Sequence, residues 1–130
     1  METRTGRWEI ATPHYRAALD LDHDALVELC PGSDKGNLLR TPWQFEAPGV
    51  SGHAPATVAA GPVFVKVRVP FESADVAGYS DYHFFLELPA IRIRREYRPR
   101  RPVEVEATRE GAAFAQKGGT FQCQAGTGGE

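Results

Sequence analysis

The chain has few of the residues that mark disulfide-rich, zinc-binding or membrane-spanning proteins. Only two cysteines occur, Cys30 and Cys123, and they form neither a zinc-ligand pattern nor a C-x-x-C pair. No apolar run approaches the roughly 18–20 residues that a membrane-spanning helix requires. The N-terminal stretch METRTGRWEI is charged and lacks the apolar core of a signal peptide. These absences favour free thiols and a cytoplasmic or virion protein without membrane contact.

No metal-binding motif is complete. Asp20–Asp24 carries acids at alternate positions, as a calcium loop does, but Ala25 and Pro31 stand where an EF-hand needs glycine and glutamate. The four histidines are scattered without ligand spacing. We therefore expect neither a metal ion nor a cofactor, and we interpret the acidic segment as the start of a helix.

The residue types of a hydrolase triad occur close together at Ser80, Asp81 and His83. A triad is defined by convergent geometry, which near-adjacent residues of one strand do not provide. The nucleophile-elbow motif G-x-S-x-G is absent as well. The sequence thus indicates no catalytic residue and favours a protein that is not an enzyme, although a site assembled from distant residues stays open.

Turns and short β-like runs dominate what is present. Ten prolines and thirteen glycines divide the 130 residues into short segments, which is typical of β-rich domains. The clearest strand is Thr57–Val69, whose odd-numbered valines from Val63 onward share one face. We predict a single mainly β domain over residues 1–130, a small β-sandwich or partly open barrel of about six to eight strands. The glycine-rich residues 125–130 are expected to form a flexible tail.

One short α-helix is predicted near residues 22–30. Asp22 is a good N-cap, acids occupy the first turn, and Leu26 and Leu29 fall on one side before a Pro-Gly pair. The preceding run, Tyr15–Leu21, is compatible with a strand or a helix, because a short apolar run does not decide between them.

The stretch Tyr82–Thr108 contains the longest β-like run and the densest charge cluster. Even positions are apolar from Phe84 to Leu88, whereas after Pro89-Ala90 the apolar residues Ile91, Ile93 and Tyr97 occupy odd positions. Because a slip of one residue exchanges the two faces of a strand, we predict a bulge, bend or break at Pro89-Ala90.

A second strand, Val103–Ala107, alternates apolar and acidic residues and is expected to form a hairpin with the strand that begins at Ile91. The predicted antiparallel pairs are Ile93–Val105, Arg94–Glu104 and Arg92–Glu106. Opposite charges directly across a strand pair contribute roughly 0.2–1 kcal/mol each. The same alternation predicts that the following side chains are buried: Val63, Val65, Val67, Val69, Phe84, Leu86, Leu88, Ile91, Ile93, Val103 and Val105.

Six arginines and one glutamate lie between Arg92 and Arg101. The formal net charge of the chain is −2, so any nucleic-acid binding would be local to this cluster. If glutamates across the hairpin neutralise the arginines at positions 92 and 94, four arginines stay available to a partner. These predicted partner-binding residues are Arg95, Arg98, Arg100 and Arg101.

Three classes of function are compatible with these patterns, and the first is preferred. It is a non-catalytic binding or assembly subunit of a larger complex, for example a virion or another multi-chain particle, that contacts protein partners through loops and the Arg-rich hairpin. The second is a nucleic-acid-binding module that uses the cluster Arg92–Arg101, although the phase of the nearby Phe84 assigns that ring to the core. The third is a small β-barrel ligand-binding protein or enzyme whose site is not visible in the sequence.

Overall fold

The computed structural model describes residues 2–32, 36–46, 55–72, 76–99 and 109–111. Within them the chain is mainly β, as predicted, and forms two five-stranded antiparallel sheets that do not close into a barrel, consistent with a small β-sandwich. The described residues thus form ten strands rather than the predicted six to eight. The strands are β1 (Glu2–Arg4), β2 (Arg7–Ala11), β3 (Tyr15–Asp20), β4 (Ala25–Pro31), β5 (Trp43–Glu46), β6 (Ala56–Ala60), β7 (Phe64–Glu72), β8 (Val76–Phe85), β9 (Ile91–Pro99) and β10 (Arg109–Gly111). The first sheet has the order β1-β6-β7-β8-β9, and the second has the order β10-β5-β4-β3-β2.

The prediction of a helix near residues 22–30 is wrong. Residues 21–24 form a turn, and the segment that follows is strand β4, which pairs with β3. The acids belong to the turn, since the Asp20 carboxylate accepts the backbone N–H of Asp22 at 3.1 Å. The described residues contain no helix, and hence none that is long and apolar enough to cross a membrane.

The predicted break at Pro89-Ala90 is confirmed. Strand β8 ends at Phe85, strand β9 begins at Ile91, and residues 86–90 connect them. The connection is closed by a backbone hydrogen bond of 3.3 Å from the Phe85 N–H to the Ala90 carbonyl. The two strands on either side of the break therefore pair with each other as neighbours in the first sheet.

The predicted strand Thr57–Val69 is in fact two strands, β6 and β7, separated by residues 61–63, and both β7 and β8 extend at one end beyond the sequence pattern. β7 continues through Pro70 to Glu72, and β8 begins at Val76, in a segment without alternating apolar residues. The inward positions of β8 in this segment are the small or polar Gly78 and Ser80. A strand with such an inward face shows no hydrophobic alternation, so the alternation does not predict it.

The core lies between the two sheets, where β3 and β4 pack against β7 and β8. Its buried members are Tyr15, Ala17, Leu19, Leu21, Leu26, Leu39, Ala56, Val67, Val69, Tyr82 and Phe84. The ambiguous run before the acidic turn is thus a core strand, β3. Its alternate side chains face the first sheet because successive residues of a strand point to opposite faces.

The predicted buried residues divide into three groups among the described part of the chain. Val67, Val69 and Phe84 are buried, while Val65, Leu86, Ile91 and Ile93 are partly buried. Val63 and Leu88 are exposed, at 57% and 54%, so their predicted burial is wrong. Both residues lie just beyond the ends of β7 and β8, in connections where the alternation of a strand no longer applies.

Some predictions fall on residues outside the described ranges. These are the pairing of Val103–Ala107 with β9, the flexible tail at residues 125–130, and the state of Cys123. The other cysteine, Cys30, is a buried free thiol, and burial raises its pKa.

Two valines of similar position in the sequence test this assignment of the core. Val67→Ala should lower the free energy of unfolding by about 1.5–3 kcal/mol, because it removes buried methyl groups and leaves a cavity. Val63→Ala is the matched control and should change it by no more than about 0.5 kcal/mol. Urea unfolding of both variants checks this, and equal losses would contradict the strand boundary at Phe64.

Candidate functional site

A buried carboxylate connects the two sheets. Asp24 ends the turn between β3 and β4, and its fully buried side chain reaches into the first sheet. It accepts hydrogen bonds from the Ser80 hydroxyl, from the Tyr82 hydroxyl at 2.6 Å, and from Arg95 Nη1 at 3.1 Å. The φ of Asp24 is 51°, in the left-handed region that aspartate tolerates better than most residues other than glycine. The turn conformation therefore serves to aim this carboxylate inward.

Arg95 is an interior residue. Its side chain is only 7% exposed, and besides contacting Asp24 its Nη1 atom donates to the Ser80 hydroxyl. The structure thus places Arg95, a predicted partner-binding residue, in the interior. Its position follows from the alternation of β9, because Arg95 shares the inward face with Ile91 and Ile93.

The contacts that Asp24 makes with Ser80, Tyr82 and Arg95 hold the two sheets together. An ionised carboxylate inside a protein needs charge-assisted hydrogen bonds, and Asp24 receives them from three donors. Burial raises the pKa of Tyr82, so its hydroxyl stays protonated and can donate. Ser80 and Tyr82 are themselves fully buried. We call Asp24, Ser80, Tyr82 and Arg95 the cross-sheet tie.

A second polar contact joins the sheets at the other end of β3. The hydroxyl of Tyr15 donates to the backbone carbonyl of Phe85 at 2.7 Å, and burial raises the pKa of Tyr15 to about 12. Tyr15 opens β3, whereas Asp24 follows its end. Two directional contacts at opposite ends of one strand fix how the sheets lie on each other.

The residues that resemble a hydrolase triad lie on opposite faces of β8. Ser80 points inward to Asp24, whereas Asp81 and His83 point outward. The three side chains therefore do not converge on one site. Nor do the described residues bring together three or more His, Cys, Asp or Glu side chains that could hold a metal ion.

The outer face of the first sheet carries interleaved cations and aromatic rings. The cross-strand register of β7, β8 and β9 places them in three successive rows: Phe64–Phe85, Lys66–His83–Arg92 and Arg68–Asp81–Arg94. We call these residues the outer-face cluster. They point away from the core because the residues between them, such as Val67, Tyr82 and Ile93, belong to it or pack against it.

One carboxylate stands among the cations of the cluster, and it is already engaged. The guanidinium of Arg68 donates to both oxygens of Asp81, at 2.7 Å and 2.8 Å, and Lys66 Nζ lies 3.9 Å away. Arg92 and Arg94 are exposed, and they form no ion pair with the described part of the chain. The outer-face cluster therefore presents a local excess of positive charge.

The aromatic rings of the cluster meet at one end of the sheet. The ring of Phe64 stands edge-on to His83 and to Phe85, with centroid distances of 4.9 Å and 5.7 Å. All three rings are partly exposed. The next outward aromatic residue, Tyr79, is covered by the guanidinium of Arg68 at 3.8 Å from the ring centroid. The uncovered aromatic surface is thus confined to the Phe64 end.

His83 lies between two cations in the middle row. Burial lowers its pKa, and the neighbouring charges of Arg92 and Lys66 lower it further against the opposing effect of Asp81. Its Nδ1 atom is buried and has no hydrogen-bond partner within the described residues. His83 is therefore neutral at pH 7 and contributes a ring rather than a charge.

The predicted partner-binding arginines do not form one site. Arg98 is exposed and pairs with Glu96 at 2.8 Å, Arg95 is interior, and Arg100 and Arg101 lie outside the described residues. The site that the structure does assemble depends on residues of three strands. Alternation alone places Phe64, Lys66 and Arg68 on one face of β7, but no local sequence pattern indicates that β8 and β9 extend that face.

Comparisons of the chain with models of protein families, with curated proteins and with solved structures gave no match. Any function therefore has to follow from the geometry of the described residues rather than from likeness. The cross-sheet tie is engaged in holding the fold. The outer-face cluster exposes Arg92 and Arg94, which form no ion pair within the described ranges, so it is the candidate functional site.

The cross-sheet tie should dominate stability. Asp24→Asn should lower the free energy of unfolding by about 3–5 kcal/mol, because it removes the charge that compensates the buried guanidinium of Arg95. The matched control is Asp22→Asn, which keeps the side-chain oxygen that accepts the Gly6 N–H and should cost no more than about 0.5 kcal/mol. Urea unfolding measures both changes in the free energy of unfolding. Losses of equal size would contradict a dominant contribution of the cross-sheet tie to stability.

The titration of His83 should be visible in the pH dependence of stability. Because folding lowers the pKa of His83 below 6.5, the unfolded chain binds the proton first as pH falls. The free energy of unfolding should therefore decrease as pH drops through about 6.5. His83→Gln should reduce this decrease between about pH 5 and 7, measured by urea unfolding at each pH. Coincident pH profiles of the parent and the variant would refute the assignment.

Proposed function

We propose that the protein is a non-catalytic binding module that holds an anionic macromolecular partner on the outer-face cluster. The observation that carries this proposal is the pair Arg92 and Arg94, which project from alternate positions of β9 beside Lys66 and form no ion pair within the described residues. Arginine forms fixed, bidentate contacts with carboxylate and phosphate groups. A surface with such side chains suits a partner that supplies those groups.

Three other exposed arginines differ from Arg92 and Arg94 in one respect, although the exposed Arg40, like them, forms no ion pair with the described part of the chain. Arg4, Arg7 and Arg16 each pair with a carboxylate of the same sheet, at distances of 2.6, 2.9 and 3.1 Å. In such a pair the neighbouring carboxylate offsets the positive charge of the arginine locally. With a formal net charge of −2, the whole chain does not attract anions, so attraction has to be local to the outer-face cluster.

The non-catalytic part of the proposal is supported by the placement of reactive side chains. Ser80 and Asp24 are buried in the cross-sheet tie, and Cys30 is buried in the second sheet. The exposed cluster contains groups that attract and stack, and its one carboxylate is bound by Arg68. These features favour recognition over chemical conversion.

Removing Arg92 and Arg94 should weaken retention on an anionic resin. The double variant Arg92→Ala/Arg94→Ala should elute from phosphocellulose at clearly lower salt than the parent, because the local excess of charge is lost. The control Arg4→Ala/Arg7→Ala changes the net charge equally at arginines that are paired, and should elute close to the parent. Equal shifts for the two double variants would mean that only net charge matters, which contradicts a specific surface.

A second candidate function is an assembly subunit of a larger multi-chain particle. The observation that favours it is an apolar tip formed by the exposed side chains of Val63 and Leu88. The two connections that carry them lie together, since the Leu86 N–H donates to the Val63 carbonyl at 3.0 Å. Exposed apolar side chains that cluster are typical of protein–protein contacts.

Mass measurement under native conditions tests the assembly function. If the tip joins copies of the chain, the parent should form oligomers, and Val63→Ser/Leu88→Ser should shift them toward the monomer because the apolar contact is lost. The polar change should leave the unfolding midpoint nearly unaffected, since both side chains are exposed. A monomeric parent, or an oligomer that the double variant does not weaken, would contradict self-assembly through the tip.

A further inference from the structure

We infer that the partner of the outer-face cluster is a single-stranded nucleic acid, an inference that rests on the proposed function. The cluster combines two features that such strands require. One is a set of cations for the phosphates, and the other is a set of rings on which unpaired bases can stack. Its three rows bring both features together on one sheet face.

The rings distinguish a single strand from an acidic protein. Carboxylates of an acidic segment would use Arg92 and Arg94 but would make no specific use of Phe64, Phe85 and His83 beside them. Unpaired bases have π faces of their own and stack on such rings with little dependence on sequence. A duplex keeps its bases paired and would offer the rings no partner. The uncovered rings therefore favour an unpaired strand.

The spacing of the rows allows one strand to use both features. Alternate residues of a β-strand lie about 7 Å apart along the strand, and neighbouring strands are about 5 Å apart. The ring row Phe64–Phe85 is thus followed, one and two rows further on, by the rows that end in Arg92 and Arg94. The bases that stack on the row Phe64–Phe85 and the phosphates that contact the cationic rows therefore belong to consecutive nucleotides of one nucleic-acid strand.

The internal pairing of the cluster sets how many phosphates it can neutralise. Arg68 is committed to Asp81 in a bidentate pair at 2.7 Å and 2.8 Å, whereas Lys66 Nζ lies 3.9 Å from the same carboxylate. We therefore count Lys66, Arg92 and Arg94 as the cations that contact the backbone of the nucleic-acid strand. Each phosphate contact with a single strand changes the slope of log affinity against log salt by about −0.7. Three contacts therefore predict a slope of about −2, and the variant Arg92→Ala/Arg94→Ala should retain a slope of about −0.7.

The experiment measures binding of the full chain to a fluorescent oligothymidine of about twelve nucleotides by anisotropy, over a series of salt concentrations. A duplex of equal length and a polyglutamate of equal charge serve as competitors. The variant Phe64→Leu/Phe85→Leu keeps the apolar surface but removes two rings, and should lose about tenfold in affinity for the strand. Arg4→Ala/Arg7→Ala should bind as the parent does. Thermal unfolding checks the fold of each variant, and the two single ring changes replace the double variant if it does not fold.

The outcomes separate this inference from the proposed function. Preferred binding of the single strand, with the expected salt slope and the loss in the ring variant, supports the inference. Equal binding of the strand by the parent and the ring variant would overturn it, because charge alone would then explain the affinity. Binding of polyglutamate in preference to the strand would also overturn it, while leaving an anionic partner in place. A parent that binds none of the three polyanions would overturn the proposed function as well.

Discussion

The packing of the two sheets depends on the neutralisation of one buried charge, the carboxylate of Asp24. The Asp24 carboxylate extends from the turn between β3 and β4 in the second sheet. It accepts hydrogen bonds from Ser80, Tyr82 and Arg95 on the inward face of the first sheet. A carboxylate without such donors would be too costly to bury, so the two sheets have to meet in this arrangement. Because side chains alternate across a strand, fixing the inward positions of β8 and β9 also fixes which residues face outward. The outer-face cluster is therefore a consequence of the interior tie.

The arginines of β9 lie on both faces of the first sheet. Arg94 and Arg95 are neighbours in sequence, yet one is exposed on the outer-face cluster and the other is buried beside Asp24. Each face has one buried carboxylate, since Asp81 binds Arg68 outside as Asp24 binds Arg95 inside. Each of these pairs neutralises the charge of one arginine. The charge that is left for a partner is carried by β9 and by Lys66, and it lies beside uncovered rings.

Local patterns predicted part of this structure well. Strand alternation identified the buried valines of β7, and the change of phase located the break at Pro89-Ala90. The partners of Asp24, by contrast, lie 56 to 71 residues away in sequence, and an acid-rich turn resembles the N-terminus of a helix. The first part of β8 was not predicted, because its inward face there carries the polar residue Ser80 of the cross-sheet tie. Val63 and Leu88 were wrongly predicted as buried, because the apolar alternation continues beyond the ends of the strands. The candidate site needed the register of three strands, which no local pattern contains.

The central claim is that binding takes place on the outer face of the first sheet, opposite to its core. The most direct test follows the backbone amide resonances of the isotopically labelled chain by NMR during titration with the single-stranded oligonucleotide. The account predicts that the perturbed amides map to the outer-face cluster, on β7, β8 and β9, while those of β2 and β3 in the second sheet stay in place. Perturbations confined to the second sheet, or to the tip at Val63 and Leu88, would contradict it.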